Sequence, residues 1–90
     1  MPVNTAFLLM AQYGGKAIIP IEDVRRDFFD HMSPSKMTRK VSTGELPLPV
    51  IRSERSQKAW KGVHIVDLAN YLDRQREAAL DEFSKMNGNG

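Results

Sequence analysis

Cysteine is absent from the 90 residues, which excludes a disulfide framework and any thiolate-held metal. Histidine is scarce. His31 and His64 lie far apart, and neither has a second His or Cys at ligand spacing. Both are expected to be structural, and no metal site is expected. Long apolar runs are missing too: the longest, Ala6 to Ala11, falls far short of the roughly 20 residues needed to cross a bilayer. The first residues lack the basic stretch of a secretory signal. These absences lead to an expectation of a cytoplasmic protein without a membrane partner. No Ser/His/Asp order, phosphate-cradling glycine loop or carboxylate pair in an apolar setting stands out, and Gly14-Gly15 suits a helix stop better than a phosphate loop. The chain is therefore expected not to be an enzyme, to need no cofactor and to take no small-molecule ligand.

What is present fits one small globular domain. Apolar residues make up 41% and charged residues 27%, ordinary proportions for a soluble fold with a modest core. Residues 1–86 are expected to form that domain, with Asn87 to Gly90 as a disordered tail because they offer nothing to bury. The net charge of +2 conceals a segregation. Residues 33–61 hold seven Lys or Arg against Glu45 and Glu54, a net +5, which leaves −3 for the rest of the chain.

Periodicity and punctuation set the elements. Asn4 or Thr5 can cap a helix that runs through Tyr13 and stops at Gly14-Gly15. Phe7 to Ala11 is apolar almost all round, so this helix is expected to be buried on more than one side. Lys16 to Pro20 reads as a short strand. Val24, Phe28 and Met32 recur at every fourth position and predict a helix from about Ile21 to Phe29, with Arg25, Arg26 and Asp27 on its solvent face. After a tight connection, Ser33 as N-cap and Pro34 at the first helical position open a further helix, which Gly44 closes. Leu46 to Arg52 alternates as an extended strand that its prolines restrict to an edge or a strand start. Ala59 to Ile65 makes a second strand, so the pair forms a hairpin with Arg55-Ser56-Gln57-Lys58 at its tip. Val66 to about Phe83 is a long amphipathic helix.

Two helices joined by a tight turn and followed by a hairpin form a winged helix-turn-helix, a mainly α DNA-binding domain with a small β-hairpin wing. In that layout the helix over about 33–43 enters the major groove. At 100° per residue Lys36, Arg39, Lys40 and Thr43 fall within an arc of about 100°, away from the apolar stripe of Met37 and Val41. Arg and Lys on such a face can reach guanine edges and phosphates, and Ser35 sits near the helix start. The wing over about 52–61 offers Arg52, Arg55, Ser56, Gln57, Lys58 and Lys61 to neutralise phosphates. Either set read alone could be a solvated polar surface; the cap, the turn and the shared sign of charge favour double-stranded DNA as partner. Trp60 either packs on the core or stacks on sugar or base, and a lone tryptophan beside a helix pair favours packing. The apolar first helix and Ala78, Ala79, Leu80 and Phe83 near the chain end suggest a homodimer, since one domain of this size reads few base pairs.

The segments "NTAFLLMAQYGGKAIIPIEDVRRDFF", "LPLPVIR", "SQKAWKGVHI" and "DLANYLDRQR" together resemble the pyocin activator protein (PrtN) family, from about Asn4 to Arg76. The resemblance includes "SQKA" at Ser56 to Ala59 and "VHI" at Val63 to Ile65. More loosely, the helix, wing and last helix resemble AlpA-type and excisionase-type regulators. Membership implies a transcriptional activator of bacteriocin or prophage genes, binding boxes upstream of promoters once DNA damage removes a repressor. It also implies residence at the bacterial nucleoid or in the phage-infected cell, and RNA polymerase as a further candidate partner. The helix from Ser33 to Thr43 is where members are expected to vary with their DNA sites. Two alternatives stand beside this reading. One is an excisionase-like protein that bends DNA; the other is a phage anti-repressor or host-protein inhibitor whose basic surface meets an acidic protein.

Overall fold

The computed structural model describes residues 4–52 and 61–87. The elements follow in the order α1 (Thr5–Gln12), β1 (Ile18–Pro20), α2 (Ile21–Phe28), α3 (Pro34–Thr43), β2 (Ile51–Arg52), β3 (Lys61–His64) and α4 (Ile65–Met86). This is a winged helix-turn-helix: α2, a turn and α3 are followed by the two strands that form the root of the wing.

Local chemistry explains most boundaries. Asn4 caps α1, its side chain accepting from the Phe7 amide at 3.0 Å. Ser33 does the same for α3, accepting from the Lys36 amide at 3.2 Å, and Pro34 fills the first turn, where no partner for an N–H exists. Gly44 ends α3 in the left-handed region at φ 82°. His64 caps α4, its Nδ1 accepting from the Val66 amide at 3.0 Å, which gives this histidine the structural role expected for it. Asn87 closes α4 from the other end, its side-chain amide donating to the Phe83 carbonyl at 2.8 Å.

The sheet departs from the expected hairpin. It has three antiparallel strands in the order β1-β3-β2. Ile18 pairs with His64 and Pro20 with Gly62 on one side of β3, while Ile51 pairs with Gly62 and Arg52 with Lys61 on the other. The Ile65 amide, donating to the Ala17 carbonyl at 2.8 Å, prolongs the first pairing. The first wing strand is also shorter than expected. Pro47 and Pro49 have no N–H to give a ladder, so residues 46–50 join no strand; the Leu48 amide donates back to the Leu46 carbonyl at 2.8 Å, and Leu46 and Leu48 are buried while both prolines face solvent.

The core lies where these elements meet. Ile19, Val24, Val63 and Leu68 are fully enclosed, with Leu9, Phe29, Met32, Met37, Leu46, Leu48, Ile65 and Ala69 around them. Phe29 meets Tyr71 of α4 at a ring distance of 5.7 Å and a tilt of 57°, a favoured aromatic geometry. The expectation that α1 is buried on several sides is not met. Only Leu9 of α1 is buried, and Phe7, Leu8 and Met10 are exposed, because α1 packs chiefly along α4, while Tyr13 just beyond its end bonds to Asp27 of α2.

A further correction concerns Arg25, expected on the open face of α2. Its guanidinium folds under the helix-turn-helix instead. Nη1 donates to the Met32 carbonyl at 2.9 Å, while Nε and Nη2 hold Glu22 one turn back.

Candidate nucleic-acid interface

The capped helix α3 presents the face that the spacing predicted. Met37 is buried and Val41 packs against the core, which turns Ser35, Lys36, Arg39 and Thr43 outward, all exposed. Ser35, Lys36 and Arg39 border one open hollow. Lys40 sits at the edge of this face. Its side chain is 29% exposed and its Nζ lies 3.9 Å from Glu45 Oε2, so Lys40 is shared between solvent and a carboxylate.

Two residues of this face were missed by charge alone. Thr38 and Ser42 border a groove between α3 and the sheet, and its far wall is Arg52 and Lys61. Their hydroxyls donate backward to the carbonyls of Pro34 and Arg39 at 3.0 and 2.9 Å, leaving oxygen lone pairs to accept. The only sequence signal for them is their position: both lie one helical step from Met37 or Val41, on the flank that faces the wing.

Arg52 and Lys61 are cross-strand partners in the β2–β3 register. Like charges directly opposite each other destabilise a strand pair, and an anion seated between or above them relieves that cost. The structure thus brings the first and last predicted wing residues to the groove beside α3. Arg55, Ser56, Gln57 and Lys58, together with Trp60, lie outside the described residues.

The cations of α2 are spent internally. Arg25 pairs with Glu22, and Arg26 with Asp23 and Asp27. The hydrogen bond from Arg25 holds the Glu22 carboxyl below its usual range. The Tyr13 hydroxyl, and then Arg26, do the same for Asp27. Burial, followed by the bond to Asp27, pushes the Tyr13 hydroxyl up. Among the described residues Lys36, Arg39, Arg52 and Lys61 enter no ion pair, as Lys16, Arg74 and Arg76 elsewhere do not, and the first four lie on α3 and the wing root that flanks it. Arg25 supports the same surface indirectly, since its bond to the Met32 carbonyl fixes the turn from which α3 departs.

Among the described residues no three His, Asp or Glu side chains cluster as metal ligands, and no helix is long and apolar enough to cross a membrane. Comparison with curated proteins and with solved structures gave no match. Comparison with protein families matched residues 5–79 to the family described as pyocin activator protein PrtN. That span takes in every element from α1 through the middle of α4, and on it the chain belongs to the pyocin activator protein (PrtN) family.

Proposed function

We propose that this protein is a sequence-specific double-stranded-DNA-binding activator of bacteriocin (pyocin-like) or prophage genes, acting in the bacterial cytoplasm. Its α3 would lie in the major groove and its wing on the adjacent backbone. The observation that carries the reading is the juxtaposition of two surfaces: an α-helix capped at both ends with Ser35, Lys36 and Arg39 exposed, and the cross-strand cations Arg52 and Lys61 beside it. A B-DNA major groove about 12 Å wide accepts one such helix, and paired cations flanking it suit the phosphates on its rim. The family's activator role adds that promoter-bound protein acts on transcription. Two copies per site and contact with RNA polymerase complete this reading.

Binding titrations with cognate and scrambled duplexes test it. Arg39→Ala should cost about 1–3 kcal/mol on the cognate duplex and flatten the preference between sequences, whereas Lys61→Ala should weaken both alike. The salt dependence should also change: loss of one phosphate contact lowers the slope of log K against log salt by about 0.9. Equal losses on both duplexes for Arg39→Ala would refute its base-reading role. A salt-independent affinity would refute DNA as the partner.

A further inference from the structure

The helix α4 runs for 22 residues, but the domain covers only its first two turns. Ile65, Leu68 and Ala69 are buried, Tyr71 and Leu72 are half-buried, and every residue from Asp73 to Asn87 is exposed. At 1.5 Å per residue this leaves roughly 20 Å of helix standing clear of the core, consistent with the 51 × 29 × 19 Å extents of the molecule.

The projecting part is not uniformly polar. At 100° per residue Ile65, Leu68, Leu72, Ala79, Phe83 and Met86 all fall within an arc of about 60°, and Leu80 widens it on one side as Ala69 does in the core. One stripe, apolar except at Arg76, therefore runs the length of α4. Its first half seats on the domain, and its second half has nothing against it: Leu80 is 50%, Phe83 57% and Met86 83% exposed. An amphipathic face of this width is built to be covered, and leaving large apolar side chains in water forfeits roughly 25 cal/mol for each Å².

We infer that a second copy of this chain covers it, the two projecting halves of α4 packing antiparallel with their centre near Asp81. The stripe itself selects the occupant and the direction. Its spacing, Leu72, Arg76, Ala79, Phe83 and Met86, alternates by four and three, the seam of a two-helix coiled coil. In a parallel pair Ala79 meets Ala79 and leaves a gap, Phe83 meets Phe83, and Arg76 meets Arg76. In the antiparallel pair Ala79 faces the second copy's Phe83, small against large. Arg76 then reaches the last turn of the other helix, whose carbonyl end favours a cation. The seam spans about three turns, a small interface, so the dimer should be weak. The interface lies away from α3 and the wing root, so it stands or falls independently of the proposed DNA binding.

Sedimentation equilibrium of the full chain without DNA tests the pairing. The expected result is a concentration-dependent monomer–dimer equilibrium, with Phe83→Glu raising the dissociation constant at least tenfold. Phe83 lies outside the core, so the thermal unfolding of dilute Phe83→Glu should match that of dilute wild type. A monomer at every concentration up to 0.5 mM, or a dimer that Phe83→Glu leaves intact, would overturn the proposal. Because the chain lacks cysteine, single-cysteine variants report direction. Near the antiparallel centre, Glu82→Cys should form a disulfide with its own copy and Ala79→Cys should form little; the reverse pattern would overturn the antiparallel arrangement.

Discussion

Replacing Gly44 by alanine isolates one backbone angle at the end of α3. Gly44 holds φ 82°, a conformation that costs an ordinary L-residue about 1–2 kcal/mol. No atom lies within 4 Å of where a Cβ would stand, so no steric collision adds to that cost. Alanine recovers about 0.4–1 kcal/mol by restricting the unfolded chain. The net expectation is a loss of about 1 kcal/mol, which for a domain of this size lowers the melting temperature by about 4–8 °C. Gly44→Asn should lose less, because asparagine tolerates the left-handed region through local hydrogen bonding. Gly44→Val should lose more. Urea and thermal unfolding of the three variants measure the series. If alanine matches or exceeds wild type, or asparagine proves worse than alanine, the strained C-cap does not govern the exit from α3. In that case Leu46, whose amide donates to the Lys40 carbonyl at 3.0 Å, must be what sets the exit.

Two further predictions concern stability. Leu68 is fully buried, and Leu68→Ala should cost about 2–5 kcal/mol in urea unfolding; a loss below 1 kcal/mol would show that the core closes around the gap. The carboxyls of Glu22 and Asp27 are held below their usual values by Arg25 and by Tyr13 with Arg26. Their stabilisation is then present above the unfolded values near pH 4 and lost as pH falls through the lower folded ones. Melting temperatures of wild type and the Glu22→Gln, Asp27→Asn double variant should therefore differ at pH 7 and converge towards pH 2. A gap that stays constant with pH would assign the difference to packing.

The helix α3 was readable because its signals are local. Ser33, Pro34 and Gly44 act within one turn of where they stand, and the four-residue spacing of Met37 and Val41 fixes which side faces out. The same logic found α4 and the strand at Ile18. It did not find that strand's partner, since a pairing of Ile18 with His64 depends on chain topology and leaves no trace in either segment. Arg25 failed for a related reason. A helical wheel places it beside Val24, at the border of the buried face, and only the returning turn at Met32 decides that it is covered. Apolar content misled for α1, because hydrophobicity reports what a helix could bury and not how many neighbours it has. Thr38 and Ser42 carry no charge, and their place in the groove depends on where the wing root settles.

The order of strands in the sheet has a consequence for biosynthesis. Both β1 and β2 bond only to β3, the last of the three to be made. While the chain is emerging from the ribosome, α2 and α3 are already synthesised but have no sheet to rest on until residues 61–64 clear the exit tunnel. A nascent or truncated chain ending before Lys61 therefore carries the cationic helix without the frame that aims it. The surface proposed to meet DNA is framed only once β3 has paired with both β1 and β2.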